Sequence, residues 1–502
     1  MDKIQVLQVG HKNWKKVYTL PDSLELCHVS RLNKPLPKLY DLVFLDRTLN
    51  DREADLLHKA TKAYTLFVTD QAEMTDRMEW LYKSKKGRRI PEADIQGFLL
   101  HEARNYFSKP YGEKFKPYHV AIAQGFHGSV KWEGSYCVRL NGDFGTEFNQ
   151  AVYWRNNILL YEGQCLDLWL EYQKDEQVSI ALSVTQFVNG GLADVQQKWR
   201  FSEEELEREV QIDNQFSDGI LFVSVLAKGR GELRIIGLHN RYSRRGWGLF
   251  LPGGERYITS KREEVFCYFD PGDMKPPLNV YFSGYKTVEG FEAYHLIRGM
   301  GCPFLLIAEA RLEGGCFYMG SEEYESMLCG AIMKYMKELG FTPDQVILSG
   351  ISMGSFGAMY YGCDIRPHAV LLAKPLLSIG MVAAKEKLHR PGGFSTSLDI
   401  LRYLYGSADE EAVERLNKRF WDKFDRTDWK ESQIIASYMI EDDYDDSAYP
   451  GLLSHLHSDG VQLYGKGFHG RHNDNSDGVI EWFSSRLKQI LIEDFQRKAD
   501  RS

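Results

Sequence analysis

The chain has 502 residues, 43% of them hydrophobic and 26% charged, with a formal net charge of −8. That length exceeds a single hydrophobic core and points to about two to four domains, and the composition excludes a disordered protein. The acidic balance argues against general nucleic-acid binding, and no apolar run reaches the roughly 18 residues that a membrane span needs.

Residues 1–118 alternate short apolar runs with polar helical stretches. Strands are predicted at 4–9, 24–29, 42–45 and 65–68 and a helix at 51–63, which makes a small α/β domain with parallel strands. The opening Met1-Asp2-Lys3-Ile4-Gln5-Val6 reads as the approach to a strand, without an apolar signal segment. No glycine-rich phosphate loop follows the first strand, which argues against a dinucleotide site. The basic run Lys83-Ser84-Lys85-Lys86-Gly87-Arg88-Arg89 reads first as a solvated turn, and second as a contact for acidic lipid or a partner.

Residues 119–265 change character. Aromatic and β-branched runs at 136–140, 158–161, 165–172, 178–184, 220–227 and 233–239 are separated by turns such as Asn189-Gly190-Gly191 and Lys228-Gly229-Arg230-Gly231. Regular spacing of this kind predicts a β-sandwich-like domain. Trp154, Trp169, Trp199 and Trp247 are candidates for stacking on sugar rings, with a place in the core as the commoner reading for each.

A Pro/Gly cluster, Asp270-Pro271-Gly272 through Pro276-Pro277, opens the third part, 266–502. Strands are predicted at 278–282, 304–308, 346–348, 369–373, 434–440 and 461–464, with helices at 322–339 and 477–495. In the first of those helices Tyr324, Met327, Leu328, Ile332, Met336 and Leu339 recur at three- and four-residue spacing, the stripe of a helix packed on a sheet. Residues 376–429 interrupt the alternation with mixed-charge helical sequence, as a cap over an active site would.

Within this part, Gly350-Ile351-Ser352-Met353-Gly354 follows an apolar strand and precedes a small-residue helix. Strand, G-x-S-x-G and helix make the nucleophile elbow of α/β-hydrolases. A serine hydroxyl needs a histidine to take its proton and a carboxylate to orient that histidine. In α/β-hydrolases these follow in the order serine, acid, histidine. Here Glu441-Asp442-Asp443-Tyr444-Asp445-Asp446 stands at a strand's carboxyl end, and a glycine-rich loop carries His469 and His472 ahead of the last helix. Ser352, Asp442 and His472 are the preferred set, with Glu441 and Asp443 as alternative acids and His469 as alternative base. The oxyanion donors are expected to be the backbone amides of Met353 and Tyr285, with Gly284 as alternative to the latter. The eight scattered cysteines form no CxxC pair, so they read as reduced packing residues of a cytoplasmic protein, and no metal site is expected.

The elbow Gly350-Ile351-Ser352-Met353-Gly354-Ser355 and the loop Gly467-Phe468-His469-Gly470-Arg471-His472-Asn473, on a chain with this long amino-terminal half, resemble the accessory secretory protein family of Gram-positive bacteria, in its second Asp component. Ordinary esterases lack that half. The resemblance implies an α/β-hydrolase domain with a helical cap insertion behind the β-sandwich-like and small α/β domains. It also implies an O-acetyltransferase acting on N-acetylglucosamine of serine-rich-repeat glycoprotein adhesins, and a part in adhesin export with the other two Asp proteins and the accessory SecA motor. Ser352 would be the nucleophile, His472 the base and Asp442 or Glu441 the acid. No bound cofactor is implied, acetyl-CoA is the expected acetyl donor, and the expected location is cytoplasmic, with peripheral attachment at the inner face of the cell membrane. A serine esterase or deacetylase would use the same three residues, and a non-catalytic export adaptor would use none.

Overall fold

The computed structural model describes residues 3–106, 112–191, 194–247, 253–385, 397–456 and 460–497. The chain divides into two compact units: Met1–Gly254 with Thr287–Glu289, and Glu255–Lys286 with Gly290–Ser502.

The first unit begins with a five-stranded parallel sheet in the spatial order Leu24–Val29, Ile4–Gly10, Leu42–Asp46, Leu66–Thr69, Arg88–Ile90. Side chains alternate across a strand, so one chain segment feeds two cores. Val6, Leu26, Phe44 and Phe67 bury on one face, and Leu7, Val9, Val43, Leu45 and Val68 on the other. The helix Asp51–Ala60 starts at a capping box between Asn50 and Glu53. It stops short of the predicted 63 because Thr61 turns extended and its hydroxyl donates to the Leu57 carbonyl.

Among its described residues, the rest of this unit forms one connected antiparallel sheet of eleven strands rather than two packed sheets. The runs predicted at 220–227 and 233–239 are parts of a single strand, Gly219–Tyr242, whose stretch Ser224–Ile235 pairs with Cys137–Trp154 through several register shifts. Gly229 and Gly231, read as a turn, take φ of 95° and 147° inside that strand. Glycine at such positions lets the ladder bend without breaking, so a chain that reads as two strands curls as one. The four candidate tryptophans lie in or against hydrophobic cores. Trp154 and Trp169 are fully buried, Trp199 is half-buried against the core, and Trp247 packs on Phe67 and Phe98. The segment 287–289 adds a short strand beside Gly112–Phe115 and brings Glu289 into a buried charge cluster. Arg241 and His239 both contact Glu289, His239 also reaches Glu171 at 3.2 Å, and Lys114 donates to Glu171 at 2.6 Å.

The second unit is built on eight strands: β1 Glu255–Ile258, β2 Glu264–Asp270, β3 Leu278–Phe282, β4 Phe304–Ala308, β5 Val346–Ile351, β6 Ala369–Ala373, β7 Gln433–Met439 and β8 Gln462–Phe468. Their spatial order is β1-β2-β4-β3-β5-β6-β7-β8, parallel from β4 onward and antiparallel at β1 and β2. Every residue of β2, β3, β4 and β6 is buried, as expected where helices cover both faces of a parallel sheet. β1 and β2 lie outside the predicted strands, although Val265-Phe266-Cys267-Tyr268-Phe269 is a continuous apolar run. Among the described residues of 376–429, helices Ile379–Ala384, Asp399–Tyr405 and Glu410–Asp425 follow β6. The last packs Phe420 on Phe356 and donates from Arg419 to Glu325, so it lies on the helix layer. The expected cap includes 386–396, which lie outside the described residues.

Candidate active site

The preferred serine, acid and histidine follow the carboxyl ends of β5, β7 and β8, and the expected oxyanion turn follows β3. β5 runs into Ser352 and then directly into the helix Met353–Ile365. Ser352 takes φ 55° and ψ −121°, a conformation a non-glycine residue adopts only where the surroundings enforce it. The enforcement is visible at its neighbours. A Cβ on Gly350 would lie 2.2 Å from the Gly354 carbonyl oxygen, and one on Gly354 would lie 2.0 Å from that of Phe282. Only glycine allows so sharp a turn beside the end of β3. The Ser352 amide donates to the Ala373 carbonyl at 2.8 Å, which ties the turn to β6.

Ser352 Oγ lies 2.8 Å from His472 Nε2, and His472 Nδ1 lies 2.9 Å from Asp442 Oδ2. The other oxygen of Asp442 accepts the amides of Tyr444 at 2.8 Å and Asp445 at 3.1 Å. Burial works against the charge on Asp442. The hydrogen bond and charge of His472 and those two amides outweigh it and hold the carboxyl below its usual value. The Asp443 carboxylate accepts the His472 amide at 3.0 Å, and the Tyr444 ring covers the imidazole at 4.4 Å between centroids. His472 is 3% exposed, so serine, imidazole and carboxylate form a continuous chain largely out of water.

Glu441 and His469 belong elsewhere. They pair with each other at 3.1 Å, with the His469 side chain 86% exposed, and Glu441 also accepts the Gly470 amide. The acidic run thus divides its work by residue. Asp445 accepts the Leu377 and Ser378 amides at 2.7 Å each, and Asp446 pairs with Lys385.

Met353 is the first residue of its helix, where a backbone N–H has no acceptor within the helix. The turn after β3 approaches the elbow, since a Cβ on Gly284 would lie 3.4 Å from the Ile351 carbonyl oxygen. The Gly284 amide donates to the Glu292 carboxylate at 2.5 Å, which engages the alternative donor. Next in that turn is Tyr285, whose hydroxyl donates to Glu313 at 2.6 Å. Sequence reasoning missed the loop after β6. Lys374 there takes φ 49°, is 4% exposed, and donates to the Asp474 carbonyl at 2.8 Å and the Ser476 hydroxyl at 3.1 Å. Its position after a predicted strand's carboxyl end was the available signal.

Among the described residues no cluster of His, Cys, Asp and Glu is arranged to hold a metal ion, and no helix is long and apolar enough to cross a membrane. All eight cysteines are free, and six are buried.

Comparison with known proteins extends over almost the whole chain. The profile of the family described as Asp2, accessory Sec system GspB-transporter, matches residues 4–497. The accessory Sec system protein Asp2 of Streptococcus gordonii is 35% identical, with 99% of each chain covered. That of Staphylococcus aureus is 34% identical over 91% of this chain and 88% of its own. A chain of the Glycosylation Associate Protein (Gap123) complex from Streptococcus agalactiae superposes with a TM-score of 0.87 at 34% identity, over 99% of this chain and 100% of that one. The chain belongs to the accessory Sec system Asp2 family.

Proposed function

We propose that the second unit is an α/β-hydrolase-type O-acetyltransferase that uses Ser352, His472 and Asp442 to acetylate N-acetylglucosamine on serine-rich-repeat adhesins. The observation that carries this reading is the unbroken hydrogen-bond chain from Ser352 Oγ through His472 to Asp442. Packing alone does not call for a serine at a left-handed elbow.

In the first half-reaction His472 Nε2 takes the Ser352 proton as Oγ bonds to the acetyl carbon of the donor. The proton then passes to the departing thiolate, for which acetyl-CoA is the proposed source. In the second half-reaction His472 takes a proton from a sugar hydroxyl, the sugar oxygen bonds to the acetyl carbon, and Ser352 recovers its proton as the acyl bond breaks. Asp442 stays ionised and stabilises the imidazolium in both steps. The Met353 and Tyr285 amides are the proposed donors to the oxyanion, each such donor being worth about 100- to 1000-fold in rate.

Alongside this chemistry we propose a part in adhesin export, with the other two Asp proteins and the accessory SecA motor. The family membership and the Streptococcus agalactiae relative's place in a complex support it. The test is mass spectrometry of adhesin glycans from cells carrying Ser352→Ala. Loss of acetylation with export retained is expected, and unchanged acetylation would remove the transferase reading.

A further inference from the structure

The loop that follows β6 touches three parts of the site at once. The Ala373 carbonyl accepts the Ser352 amide, and the Lys374 amide donates to the Ser437 carbonyl at 2.8 Å. The Leu376 amide donates to the Ser355 hydroxyl at 3.0 Å, and the Leu377 and Ser378 amides to Asp445. What remains to be held is the histidine loop, and the Lys374 ammonium reaches it through the Asp474 carbonyl and the Ser476 hydroxyl.

Two features make Lys374 costly as mere packing. A lysine is rarely buried without an ionic partner. Among the described residues no carboxylate lies within ion-pair distance of this one, and its two acceptors are neutral. Its backbone is also left-handed, where glycine would be the easier residue. Burial pulls its pKa down from the ordinary lysine value, with the charges of Asp442 and Asp474 pulling the other way.

We infer that Lys374 is a positioning residue: its buried ammonium fixes the backbone just beyond His472, so that the imidazole stays within reach of Ser352 Oγ. This rests on the serine-nucleophile reading above. Lys374 does not touch the reacting atoms. It acts through the Asp474 carbonyl and Ser476, two and four residues past His472.

The test is the rate at which a fluorophosphonate probe modifies the full-length protein, read by mass spectrometry of the Ser352 peptide. That reagent reports on an activated serine and needs neither the acetyl donor nor the sugar. Wild type is expected to react at Ser352, Ser352→Ala not at all, and Lys374→Met at least about tenfold more slowly than wild type. Added n-propylammonium, which replaces the missing part of the side chain, is expected to restore Lys374→Ala toward the wild-type rate. Recovery by a small cation requires a folded protein, so it separates loss of position from loss of fold. Ser476→Ala, which keeps the lysine and removes one acceptor, should give an intermediate rate. Labelling of Lys374→Met at the wild-type rate, or a slow Lys374→Ala that no concentration of the amine improves, would overturn the role given to Lys374 alone. A wild-type protein that does not react at Ser352 would instead sink the nucleophile reading beneath it.

Discussion

Asp442 gives one carboxylate oxygen to His472 Nδ1 at 2.9 Å and the other to the amides of Tyr444 and Asp445. Glu441, its chain neighbour, serves the exposed His469. The two acids are therefore expected to differ sharply on substitution. Asp442→Asn keeps the shape but reverses the donor and acceptor roles at His472, and should lower turnover by roughly 10,000-fold. Glu441→Gln should leave it within about twofold. Steady-state hydrolysis of an activated acetyl ester by both variants checks this.

Gly354 lies against the Phe282 backbone with no room for a methyl group. Neither side of that contact is a flexible side chain, so Gly354→Ala is expected to cost about 3 kcal/mol or more through overpacking. Gly330, on the helix Glu322–Leu339, has open space where a Cβ would go. Gly330→Ala should therefore gain several tenths of a kcal/mol or more from helix propensity. Denaturant titration of the two variants gives the contrast.

The cluster around Glu289 sets a pH window for the stability of the first unit. Burial opposes ionisation of Glu289 and Glu171. Arg241 and His239 for the former, and Lys114 and His239 for the latter, outweigh it and hold both at about 2. Depressed carboxyl values give stability that is complete above the unfolded value of about 4.3 and is lost as pH falls through the folded value. Burial would lower the pKa of His239, but Glu289 raises it above its ordinary value. That contribution is complete below about 6.5 and is lost as pH rises through the folded value. The denaturation midpoint should thus decline on both sides of a maximum in mildly acidic solution. Glu289→Gln, which removes the carboxylate that both Arg241 and His239 contact, should cost about 3–5 kcal/mol and flatten both slopes.

Much of the site could be read from order along the chain. An elbow after β5, acids after β7 and histidines after β8 reflect the way a parallel sheet collects its loops at one edge, and that edge is legible from strand spacing. Which acid serves which histidine was not. Glu441 and Asp442 are adjacent, and their separation depends on the direction in which the loop leaves β7, a property of tertiary packing. The curled sheet failed to appear for a related reason. Gly229 and Gly231 carry the residue type of a turn, and only the register with Cys137–Trp154 shows that the ladder continues through them. Lys374 is legible as a residue at a strand end, but its burial is not, because a lysine there ordinarily faces water.

The most direct measurement is to incubate the purified full-length protein with an activated acetyl ester, quench it in acid, and locate the acetyl group by peptide mass spectrometry. An acetyl group on the Ser352 peptide of wild type, absent from His472→Ala treated in the same way, is the predicted result. Equal acetylation of that serine in the two proteins, or none in either, would contradict the claim that His472 makes Ser352 a nucleophile.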